Sequence, residues 1–125
     1  MLRRILITIS LCAAAVYGES PIVCNLNALS PAERSHHAAL SRKLAAATVE
    51  NRELPDGLAL RLSPTRMTLA ELADWIEAER RCCPFLDFRV SLEREAGAFQ
   101  LSLSGRPGVK ELLQSEFAKT EIVKK

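Results

Sequence analysis

Apolar side chains recur along this chain with two different periods, and the changes of period mark its elements. His37, Leu40, Leu44 and Ala47 fall three and four residues apart, the spacing of one helical stripe. Ser30-Pro31-Ala32-Glu33 precedes them with a capping hydroxyl, a proline suited to the first helical position and a glutamate that closes a capping box. A helix is predicted from there to about Ala47. The period then drops to two: Leu58, Leu60 and Leu62 alternate with Ala59 and Arg61 after a Pro55-Asp56-Gly57 turn. The partner strand from Val49 to Leu54 is mostly polar and reads as an edge strand. Thr68 and Glu71 form a second capping box. It opens a helix to about Arg81 with Leu69, Leu72, Ala73 and Ile76 inward and Trp75 at the border. Pro84 restricts Cys83 to extended geometry and places the helix end at or just before the cysteine pair.

Two further strands follow. Leu86, Phe88, Val90 and Leu92 share one face, and so do Phe99, Leu101 and Leu103 beyond a turn at Glu95-Ala96-Gly97. Pairing Leu92 with Phe99, Val90 with Leu101 and Phe88 with Leu103 keeps these side chains together, whereas a one-residue slip would turn half of them into water. A last helix is expected near Pro107, with Val109, Leu112, Leu113 and Phe117 inward. The order α-β-β-α-β-β-α predicts an α+β two-layer sandwich, a four-stranded antiparallel sheet covered by three helices.

The first residues read as an address. Met1 to Arg4 is positive, Ile5 to Val16 carries no charge, and Val16-Tyr17-Gly18 offers small residues where a signal peptidase reads. The apolar run is about twelve residues, against about twenty for a membrane span. The expected organisation is a signal peptide at 1–18, an extended lead-in at 19–29, one domain at 30–118 and a frayed tail at 119–125, with periplasmic or secreted localisation and no membrane association after cleavage.

Charge narrows the function. The chain has 125 residues and a formal charge of +2, and both excess positives, Arg3 and Arg4, lie in the first eighteen residues. The mature domain is neutral and lacks the basic footprint of a nucleic-acid binder.

Chemistry rests on the cysteines. Cys82 and Cys83 are adjacent at a helix end beside Arg80 and Arg81, which favour thiolates, while the helix C-terminus opposes them. No strongly activated nucleophile is expected, so an enzyme is disfavoured. Cys24, Cys82 and Cys83, with His37 as a fourth donor, make a soft ligand set suited to Zn, Cu(I) or Hg(II). His36 is expected to be solvated. The competing reading is a disulfide from Cys24 to Cys82 or Cys83, worth about 4 kcal/mol through the loop it closes. Distances separate the readings. Three sulfurs within about 4 Å would suit one ion, whereas one bonded pair with a buried remainder would mark a non-enzymatic interaction module. An exposed pair near a base would mark a thiol-dependent redox protein. Asp87 and Arg89 are placed on the solvated sheet face, and Glu93 and Glu95 in a turn without positioned partners.

Five stretches carry a likeness: Cys24-Asn-Leu-Asn-Ala-Leu29, Glu33-Arg34 with His37, Glu53-Leu-Pro-Asp-Gly57, Glu79-Arg-Arg-Cys-Cys-Pro-Phe-Leu86 and Gly108-Val-Lys-Glu-Leu112. In these the chain resembles a group of small bacterial proteins of no known activity, largely non-exported and carrying the same three thiols. The resemblance implies a site that arose under reducing conditions, which favours metal or thiol chemistry. The expected function is therefore an exported small thiol protein binding a soft metal ion, with the disulfide-clipped interaction module as the alternative and the redox protein third.

Overall fold

Both capping boxes form as the sequence predicts. In the computed structural model, which describes residues 18–117, the Ser30 hydroxyl accepts from the Glu33 amide and Glu33 accepts from the Ser30 amide, opening α1 over Pro31–Ala47. Thr68 and Glu71 repeat the arrangement at the start of α2, Leu69–Cys82. The strands are β1 (Thr48–Leu54), β2 (Gly57–Leu62), β3 (Asp87–Leu92) and β4 (Phe99–Ser104), and α3 spans Val109–Phe117. The expected signal segment, apart from Gly18, and the tail lie outside the described residues. No described helix is long and apolar enough to cross a membrane.

The sheet is antiparallel with the order β1-β2-β4-β3, so β1 is an edge strand. Leu92 faces Phe99, Val90 faces Leu101 and Phe88 faces Leu103, the register that the apolar alternation demands. The middle of the sheet pairs Leu58 with Leu103, Leu60 with Leu101 and Leu62 with Phe99. Leu60, Leu62, Leu101 and Leu103 are fully buried beneath the helices. This is the two-layer α+β sandwich.

Two helix and strand faces differ from expectation. On α2 the buried positions are Leu72, Trp75 and Cys82, while Leu69 is 43% exposed and Ala73 is exposed. The reason is Trp75, whose ring stacks on His37 of α1 and meets Phe88 of β3 edge-on; seating this large ring rotates the helix about its axis. On β3, Val90 and Leu92 point to the helical side but remain 41% and 55% exposed. An edge strand has a neighbour on one flank only, and the helices lie over the centre of the sheet. The α2 helix also extends one residue further than Arg81, because Pro84 constrains only Cys83, whose amide still donates to the Glu79 carbonyl at 2.8 Å.

The lead-in is tied down rather than merely extended. Leu26–Ala28 forms a single 3-10 turn capped by Asn25, and Leu29 is buried in the core. On the open face of the sheet, Glu93 has the partners that the sequence does not reveal. Arg61 donates to it through two nitrogens, at 2.9 and 3.0 Å, and Gln100 donates at 3.1 Å. The pairing of β2 with β4 carries Arg61 across to this position.

Among the ion pairs that join elements are Glu33 of α1 with Arg81 at the end of α2, Glu71 of α2 with Lys43 of α1, and Glu93 with Arg61. The hydrogen bonds from Arg81, Lys43 and Arg61 are the main causes that hold these carboxyls at about 2 instead of the ordinary 4.5. A depressed carboxyl favours the fold while ionised, so the unfolded chain takes up protons first on acidification. Stability is expected to hold above the ordinary carboxylate range and to fall as pH drops from about 4.5 toward 2. Urea midpoints measured through that window, with Arg61→Met and Arg81→Met as comparisons, check this. Slopes as steep in the variants as in the parent protein would contradict it.

Candidate functional site

The site is assembled from four segments around the end of α2. Cys83 caps that helix, and Glu79 stands one turn earlier, so the two side chains share a face. The lead-in brings Cys24 over them, held by the Asn25 amide donating to the Cys82 carbonyl at 2.8 Å. The sulfurs of Cys24 and Cys83 lie at disulfide-bonding distance, with Cα atoms 4.6 Å apart and a sequence separation of 59. The ligand atoms of Cys24, Glu79 and Cys83 all fall within 4.8 Å of one another, a group able to hold a metal ion.

Glu79 is oriented from both sides. Its Oε1 lies 3.3 Å from Cys83 Sγ, and its Oε2 lies 2.7 Å from His37 Nε2. A carboxylate only accepts, so Nε2 carries the proton in this contact. The His37 ring is fixed in turn: it stacks on Trp75 with centroids 5.9 Å apart, and Ser41 accepts from Trp75 Nε1 while donating to the His37 carbonyl. His37 Nδ1 is buried with no hydrogen-bond partner. A cleft of about 1090 Å³ opens beside these groups, at the upper end of the size of small-molecule sites. Cys24, Cys83, Glu79 and His37 border it, and Ile22, Leu26, Leu44, Trp75, Leu112 and Phe117 form much of its apolar wall.

Of the four residues expected to act together, the structure joins Cys24 and Cys83 and sets His37 against Glu79 rather than against a sulfur. Cys82 is buried and unbridged, and stands outside the group of mutually close ligand atoms. Burial pushes its thiol up, the charge of Glu79 adds to this, and Arg81 offsets only part. Arg81 is engaged elsewhere, with Glu33 and the Ala28 carbonyl, so the pull of the neighbouring arginines toward a thiolate is outweighed. A bonded pair with a buried third thiol is the arrangement associated above with a structural bridge; the carboxylate–imidazole pair beside it was not foreseen. The signal for Glu79 was its position four residues before Cys83 on a helix. His36 is exposed and pairs with Asp74 at 2.8 Å.

Comparison with protein families, with curated proteins and with solved structures yields no match. The class that fold and site define is an α+β sandwich with a cysteine pair, a glutamate and a histidine converging at one cleft.

Proposed function

We propose that this is an exported small thiol protein with two states of one site: a Cys24–Cys83 disulfide when oxidised, and a soft-metal site when a low-molecular-weight thiol has reduced the pair. Cys24, Cys83 and Glu79 are the ligands, and His37 orients Glu79 as an outer partner, the usual role of a hydrogen-bonded neighbour at a metal site. Zn, Cu(I) and Hg(II) are the ions that two thiolates select. The observation that carries this reading is the carboxylate within 4.8 Å of both sulfurs, backed by a histidine whose side chain is only 9% exposed. A disulfide clip has no use for such a pair, and burying it costs solvation.

Export rests on the N-terminal charge and hydropathy pattern. In keeping with it, Arg106 holds both the Glu19 carboxylate and the Ser20 carbonyl, so the domain grips the chain from the first residue of the expected mature form.

The second reading, an interaction module whose bridge serves folding, is favoured by the buried state of Cys82. Metal loading separates the two. In a Cys82→Ser background, protein is reduced, freed of reductant without oxygen, and titrated with Zn²⁺ and with Hg²⁺. One ion per reduced chain is expected, with none in the oxidised form and at least a tenfold weaker affinity for Zn²⁺ after Cys24→Ser or Glu79→Gln. Reduced protein that takes up neither ion leaves the structural bridge as the function of the pair.

A further inference from the structure

Beyond holding an ion, the site has a proton path and a room for carbon. A bare metal ion needs no apolar space beside its ligands. Here, however, a cleft of about 1090 Å³ whose apolar wall includes Ile22, Leu26, Leu44, Trp75, Leu112 and Phe117 is bordered by Cys24 and Cys83 as well. Glu79 Oε1 lies 3.3 Å from Cys83 Sγ, the separation across which a reduced thiol passes its proton to a carboxylate. Its other oxygen is held by His37 at 2.7 Å. The His37 ring is braced by Trp75, so the carboxyl cannot swing away.

Resting on the metal-site reading above, we infer that the reduced pair cleaves the carbon–metal bond of an organometal cation, an alkyl- or arylmercury species, whose organic group occupies the apolar cleft. Cys24 thiol first displaces the labile ligand X from R–Hg–X; the Cys24 S–Hg bond forms and HX leaves. Cys83 sulfur then bonds to mercury while its proton crosses to Glu79 Oε1. Glu79 delivers that proton to the carbon, the C–Hg bond breaks, and R–H departs through the cleft. Mercury(II) remains between Cys24 and Cys83, and the Glu79 carboxylate is free to complete its coordination. Two thiol protons enter; one leaves with X and one with R. No electrons are transferred, and the only reductant needed is the thiol that opens the disulfide beforehand. Glu79 is the catalytic acid, because it touches the reacting carbon.

The test uses reduced protein in the Cys82→Ser background, freed of reductant, with one equivalent of phenylmercury(II) acetate. Benzene is measured in the headspace and mercury on the protein. About one benzene per chain is expected, at least tenfold faster than with a free dithiol at the same concentration. Glu79→Gln removes one ligand and is expected to weaken metal binding, yet the two thiolates alone still take up the soft Hg²⁺ ion while benzene release falls at least a hundredfold. His37→Gln is expected to retain Hg²⁺ and slow release, a split that simple loss of structure would not produce. Binding of Hg²⁺ without benzene above the dithiol control overturns the cleavage and leaves the metal site standing. Uptake of neither Hg²⁺ nor phenylmercury overturns both.

Discussion

Replacing Gly57 by alanine is expected to destabilise the protein on the order of 4 kcal/mol, the range reserved for a clash that the backbone must move to relieve. A Cβ at this position would sit 1.8 Å from the Leu103 carbonyl oxygen and 2.8 Å from Ser104 Cα. Both are backbone atoms of β4, so no side-chain rotation opens the space. Gly57 starts β2 opposite Ser104 and also pairs with Leu54 across the β1 turn, which pins it from two sides. The only relief is to pry β2 from β4, and those two strands carry Leu60, Leu62, Leu101 and Leu103 at the centre of the core. Against a total stability of about 5–15 kcal/mol for an ordinary domain, such a loss leaves little or none. Urea unfolding followed by Trp75 fluorescence measures it. A midpoint within 0.5 kcal/mol of the parent protein, the range of an innocuous surface change, would mean that β2 and β4 are not packed as described.

The second large effect concerns the Cys24–Cys83 pair. With a sequence separation of 59 between the two positions, the closed loop restricts the unfolded chain, and the entropy model assigns about 4 kcal/mol to it. Reduction, or Cys24→Ala, is expected to remove that amount and to release the lead-in first. The Asn25 amide, which donates to the Cys82 carbonyl, should lose hydrogen-exchange protection before the amides of β2. Adding Zn²⁺ to the reduced protein should restore part of the loss, since an ion bound by the folded state alone stabilises it by mass action. An unfolding midpoint unmoved by reduction would show that the pair is not bridged in solution. Restoration by Zn²⁺ in Cys24→Ser as fully as in the parent would place the ion elsewhere.

Much of the architecture was readable because its causes are local. Ser30 with Glu33 and Thr68 with Glu71 name their helix starts within one turn of chain. The register of β3 with β4 follows from apolar alternation on two strands joined by a short turn. The turn itself is less transparent: the residues in the left-handed region are Glu95 and Ala96, with φ of 61° and 54°, and Gly97 is not among them. The closure of the hairpin imposes that backbone, whatever the side chains prefer.

The burial of Trp75 and the exposure of Leu69 were not readable, because a helical stripe is wide enough to be turned by one large ring finding partners on two other elements. Glu93 looked unpartnered for a similar reason. Its cation belongs to β2, and nothing in either hairpin alone announces that β2 lies beside β4.

The amino-acid pattern by itself determined the element types, their order, the inward faces of α1 and β2, and the short set of thiols and imidazoles on which chemistry could rest. These depend on interactions between residues a few positions apart. Only the tertiary structure decided that Cys24 meets Cys83 and not Cys82, that Glu79 stands between the sulfur pair and His37, and that an apolar cleft opens beside them. Those outcomes depend on where the lead-in crosses the end of α2 and how α1 is rotated against it. Contacts between distant segments set both, through packing that no local spacing encodes.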